Sequence, residues 1–114
     1  MRKLLIVLSF LFLPMVAFAG QNTVVWTDNS NNEDRFNLQR KAVACANSAV
    51  PFTLLVSPAA NVTSYVDLAV VEGVTYCYRV NAENTAGVSG FSNSAERTVP
   101  LSVPNAPSGL AVGQ

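Results

Sequence analysis

Histidine is absent from the 114 residues, and with it goes the commonest general base and a leading metal ligand. Serine and aspartate therefore lack the partner that a hydrolase triad requires. Only two cysteines occur, Cys45 and Cys77, and they lack the CxxC spacing of redox and zinc motifs. Charged residues make up 12% of the chain, seven basic against seven acidic. That balance excludes the footprint of a nucleic-acid or anionic-membrane binder. No glycine-rich phosphate loop is present, and no stretch keeps helical periodicity for three turns. An enzyme, a cofactor and a resident metal are accordingly not expected.

What is there begins with an address. Arg2 and Lys3 precede an apolar run from Leu4 to Val16, and Ala17-Phe18-Ala19 supplies a small-x-small cleavage site. This is the form of a secretory signal peptide over residues 1–19, leading to an extracellular destination through the Sec pathway. The run is short and broken by Pro14, which argues against a membrane anchor. Removal of 19 of the 114 residues leaves 95, one small domain. Five basic residues then face seven acidic ones, a net of −2 with the charges scattered.

Short runs rich in Val, Thr, Tyr and Phe alternate with Asn, Ser, Gly and Pro clusters, which predicts an all-β sandwich or barrel. Strands are expected near 23–27, 35–42, 52–57, 62–67, 74–83 and 91–99, with a seventh candidate at 108–113. Period-2 alternation sets Tyr76, Tyr78 and Val80 on one face and Cys77, Arg79 and Asn81 on the other. The first set should face the core and the second should point outward. Phe36 and Leu38 follow the same rule, with Asn37 and Gln39 outward. Trp26, the single tryptophan, is expected at the centre of the core on grounds of size.

Trp26 to Glu33 and Phe36 to Arg40 resemble strands B and C of a fibronectin type III domain of the bacterial extracellular kind. Residues 60–65 resemble the approach to strand E. Residues 73–84, followed by Ala86-Gly87 and Phe91-Ser92-Asn93, resemble strands F and G. The resemblance covers residues 23–99 and implies an immunoglobulin-like β-sandwich with strands B-C-C'-E-F-G. It also implies that Tyr76 is a corner tyrosine whose hydroxyl bonds to upstream backbone. Function does not travel with this fold.

The chain departs from the family at both ends. Family members open with a proline-rich strand A of the form Ala-Pro-Ser-Gly-Leu, and little lies between Gly20 and Thr23 to supply it. That text stands instead at Ala106-Pro107-Ser108-Gly109-Leu110, after strand G, within a tail at 100–114. The seven residues from Pro100 to Ala106 reach at most about 25 Å, too little for comfortable self-completion. Donation to a neighbour, the opening of a further module and an unattached end are the readings that stand. Under donation, Leu110 and Val112 are the core-facing anchors and Pro107 sets the approach.

An even cysteine count in an exported chain favours a disulfide. The resemblance agrees, since strands C and F are antiparallel neighbours in that fold and would bring Cys45 to Cys77. Such a bridge would contribute about 3–4 kcal/mol by the chain-entropy model. Asp28 to Asp34 is rich in oxygen ligands and suggests calcium, but it lacks the EF-hand glycine and glutamate positions. A polar turn is the simpler reading. Asn61-Val62-Thr63 has the form of a glycosylation acceptor, relevant only to a eukaryotic secretory pathway.

The expected function is that of a secreted, non-enzymatic subunit that assembles head-to-tail with itself into an extracellular filament. The alternatives are an adhesion or carbohydrate-binding accessory module, or the first piece of a longer tandem protein. Cell-surface proteins or glycans would be the partners of the module. Tyr65 and Phe91 are its candidate aromatics, although both are expected in the core.

Overall fold

The computed structural model describes residues 20–114; the expected leader at 1–19 lies outside them. Seven strands follow in order: β1 (Asn22–Val25), β2 (Arg35–Lys41), β3 (Thr53–Val56), β4 (Ser64–Asp67), β5 (Thr75–Asn84), β6 (Gly87–Val88) and β7 (Ala95–Thr98). All pairings are antiparallel. One sheet is the pair β1-β4; the other runs β3-β2-β5, with β6 and β7 both on the far edge of β5. The two sheets share one apolar core, an arrangement consistent with a β-sandwich. Phe36 and Leu38 of β2 and Tyr76, Tyr78 and Val80 of β5 are buried there with Val70 and Val99. Val24, Trp26 and Tyr65 pack against them from the β1-β4 side.

Three expectations are corrected by this arrangement. Trp26 does not sit at the centre of the core; it is half-buried at the sheet margin, edge-on to Phe36 with ring centroids 5.6 Å apart. Its bulk does not decide its place, because β1 has a strand on one side only among the described residues. Cys77 lies on the outward face by alternation but is fully buried. The loop after β2 lies over it, fixed by the Cys45–Cys77 disulfide, by Cys45 N–H to Glu96 Oε1 (2.7 Å) and by Lys41 Nζ to the Asn47 carbonyl (2.6 Å). Residues 108–113 form no strand; they are exposed and carry no backbone pairing.

The expected strand at 91–99 is shortened to β7, and ahead of it two serines hold β5 in place of a regular ladder. Ser89 and Ser92 donate their backbone N–H groups to the Ala82 and Val80 carbonyls, both at 2.8 Å. Their hydroxyls accept from the N–H groups of the same two residues, at 2.9 and 3.0 Å. Side chains thus do the work of a ladder carbonyl, and β5 loses no partner.

A polar seam crosses the core between the sheets. Asp67, 1% exposed, accepts from Arg40 Nη1 (2.8 Å), Tyr78 Oη (2.7 Å) and the Ala69 N–H (3.1 Å). Asn22 Nδ2 donates to Tyr78 Oη at 2.9 Å, and Arg97 Nη1 donates to Asn22 Oδ1 at 2.7 Å. Every buried polar atom in this seam has a partner, which is the condition for keeping such groups inside.

The root of the tail is fastened. Val99 pairs its N–H and carbonyl with Val74 and Gly73. Glu72 then takes the Ser102 N–H on one oxygen (3.0 Å) and the Ser102 hydroxyl on the other (2.8 Å). Beyond this clamp, Leu110 and Val112 are 96% and 94% exposed.

Candidate functional site

A cleft of about 750 Å³ opens between β1 and the segment 89–95. The buried Phe36, Leu38, Tyr78 and Val80 form its floor, and Trp26 and the segment Ser89 to Ser92 line it as well. Its first wall is an unpaired strand edge. Trp26 N–H donates to the Thr63 carbonyl at 3.0 Å, continuing the register in which Val24 faces Tyr65 and Asn22 faces Asp67. Hydrogen-bonded pairs alternate along an antiparallel ladder, so Thr23 and Val25 turn their backbone groups away from β4. Those groups line the open edge.

The indole nitrogen of Trp26 is buried and lacks a hydrogen-bond partner among the described residues. A buried donor left in this state costs about 1–3 kcal/mol. At the lower end of the same edge, Arg97 Nη1 takes the Gln21 carbonyl at 3.0 Å. The cleft therefore closes near Gln21 and opens toward the loop after Trp26.

Compared with family models and with curated proteins, the chain matches neither. The chemistry of the cleft must speak for it. An apolar floor beneath unpaired backbone donors and acceptors suits an extended peptide, which supplies both kinds of group at a regular spacing.

The other residues expected from the sequence to carry function fall elsewhere once the chain is folded. Pro107, Leu110 and Val112 lie in the exposed tail and touch no part of the cleft. Cys45 and Cys77 lie on the outer face of the larger sheet as the disulfide, with Cα atoms 5.1 Å apart. In the loop at 28–34, the Asp28 and Glu33 carboxylates are engaged by the chain itself. Asp28 Oδ1 accepts the Ser30 N–H, and Glu33 accepts the Ser30 hydroxyl and the Asn61 N–H. The Ser30 hydroxyl is the leading cause of a Glu33 carboxyl held below its usual range, aided by backbone N–H groups. No group of three or more potential metal ligands occurs among the described residues.

Phe91 corrects an expectation: it is 43% exposed, not in the core. The Arg79 guanidinium lies 3.7 Å from its ring centroid and 4.1 Å from that of Phe52. This stack covers the outer face of β5, and sequence reading missed it. The signal available was weak, since only the outward position of Arg79 marks it. The seam residue Asp67 was also missed. It shares a strand face with Tyr65, and an acid on a core-facing position was the clue.

Among the described residues, no helix is long and apolar enough to cross a membrane.

Proposed function

We propose that this chain is a secreted, non-enzymatic subunit of fibronectin type III type that assembles head-to-tail by β-strand donation. One observation carries the reading. The same chain holds an unpaired strand edge over an apolar cleft and an unpaired, exposed tail with apolar residues at period 2. The tail leaves beside the start of β1, where Gly20 touches Val99, whereas the cleft opens past the end of β1 at Trp26. Donor and acceptor thus point in opposite directions, as an open-ended heterologous contact requires. The sheet orders β1-β4 and β3-β2-β5-β7 support the fibronectin type III resemblance. So does Tyr76, whose hydroxyl accepts the Val71 N–H at 2.9 Å.

Sizing chromatography with light scattering, followed by negative-stain microscopy, tests the proposal on the chain without residues 1–19. Filaments or a broad series of multimers should appear and should vanish when residues 104–114 are deleted. A folded monomer indifferent to that deletion defeats the reading.

The runner-up, an adhesion or glycan-binding module, draws on the exposed Phe91 and the neighbouring Phe52. Both rings already carry a cation, Arg79 over each and Lys41 over Phe52 as well, which leaves less ring surface for a sugar.

A further inference from the structure

Resting on the strand-donation reading, we infer the register of the junction: residues 109–113 of a second copy pair antiparallel with residues 23–27, placing Ala111 opposite Val25. Four observations converge on it. Along β1, the residues whose backbone faces the open edge are odd-numbered, because the even ones are bonded to β4. Thr23 and Val25 are free in this sense, and Thr27 continues the series.

The lower limit is set by Arg97. The next odd residue downward is Gln21, and its carbonyl is already held by the Arg97 guanidinium. That guanidinium is itself anchored on Asn22 Oδ1 at 2.7 Å. Backbone pairing therefore stops at Thr23.

The upper limit lies in the donor. In this register Gly109, Ala111 and Gly113 face Thr27, Val25 and Thr23, and all three donor residues have an N–H to give. The next donor position of the same parity is Pro107, which has none. Pairing thus ends between Pro107 above and Arg97 below, a window of five residues.

Side chains select the same solution. Directly opposite residues share a face of the sheet, so Leu110 stands beside Trp26 and Val112 beside Val24, over the cleft floor. A shift of two in one direction sets Val112 beside Asn22, whose amide is committed to Tyr78 and Arg97. A shift of two in the other direction carries Leu110 to Asp28, which does not line the cleft. A shift of one turns Leu110 and Val112 to solvent.

Cysteine crosslinking tests the register. Val25→Cys sits at an exposed position, 71% accessible, and is combined in one chain with Ala111→Cys, Gly109→Cys or Gly113→Cys. Opposite residues lie about 5.5 Å apart at Cα, within disulfide reach, whereas diagonal ones lie at roughly 7–8 Å, beyond it. Mild oxidation should give a ladder of covalent multimers with Ala111→Cys, on the order of tenfold more than with either neighbour.

A second measurement does not depend on the double variants folding. A peptide of residues 103–114 with cysteine at 111 should crosslink to the Val25→Cys chain lacking residues 104–114, and peptides with cysteine at 109 or 113 should not. Assemblies that form but crosslink best at 109 or 113, or equally at all three, overturn the register and leave donation standing. A crosslinked monomer shows the tail returning to its own cleft and overturns both. Absence of any assembly or peptide capture also overturns both.

Discussion

Tyr78 donates its phenolic proton to Asp67 at 2.7 Å, and this contact ties β5 of the larger sheet to β4 of the smaller one. Arg40 approaches the same carboxylate oxygen at 2.8 Å, so removing the acid strands two partners at once. Asp67→Ala should therefore cost about 3–5 kcal/mol, the usual penalty for an orphaned buried charge. Tyr78→Phe leaves the ion pair intact and should cost about 1–3 kcal/mol. Urea unfolding of both variants checks the order, with unchanged m-values confirming that stability alone has moved.

Stability should fall at both ends of the pH scale, for opposite reasons. Burial raises the Tyr78 phenol above its ordinary value, with the Asp67 carboxylate adding to the shift. A raised pKa means that its contribution is complete below about 10, the unfolded value, and is lost as pH climbs toward the folded one. Thermal melts from pH 9 to 12 should show this decline, and Tyr78→Phe should flatten it.

On the acid side, three carboxyls are held below their usual range. Ser30 does this chiefly for Glu33, the Ser102 N–H and hydroxyl for Glu72, and the Asn37 amide with Arg35 for Glu83. Their contribution is present above the unfolded value of about 4.3 and disappears as pH drops through the lowered folded values. Melting curves between pH 5 and 2 measure it. Glu72→Gln should lose part of the dependence and also release Ser102.

Reduction of the Cys45–Cys77 bridge, which spans 32 residues, should lower stability by about 3–4 kcal/mol. Cys45→Ser with Cys77→Ser should do the same, read as a lower urea midpoint. Because Cys77 lies fully buried beneath the loop, thiol reagents should react slowly until the fold opens.

Trp26 is the only tryptophan and stands on the cleft wall, so its fluorescence reports on that site alone. Titrating a peptide of residues 103–114 into the chain lacking residues 104–114 should shift the emission saturably toward the blue. A peptide with Leu110→Asp and Val112→Asp should leave the spectrum unchanged.

The larger sheet was legible because β5 alternates so regularly: Tyr76, Tyr78 and Val80 carry the core and mark the strand without help from elsewhere. The disulfide followed from two cysteines in a chain expected to be exported, together with a family resemblance. Positions set by distant partners were less accessible. Arg79 is flanked by Phe52 and Phe91, each far from it in sequence, and nothing local announces that meeting. Trp26 shows the limit of ranking by size, since residence at the margin depends on which neighbour its strand has. Residues 108–113 have strand-like alternation, but alternation cannot form a ladder without a second backbone.

The Glu72 clamp on Ser102 has a mechanical consequence. Between it and Gly109 lie only residues 103–108, at most about 22 Å of chain, and Pro104 and Pro107 hold two of their six φ angles near −65°. Each junction would then be a short, partly stiffened tether rooted at one fixed point on a folded bead. Such a thread bends at its joints and not within its beads, and a single carboxylate sets where each bend begins.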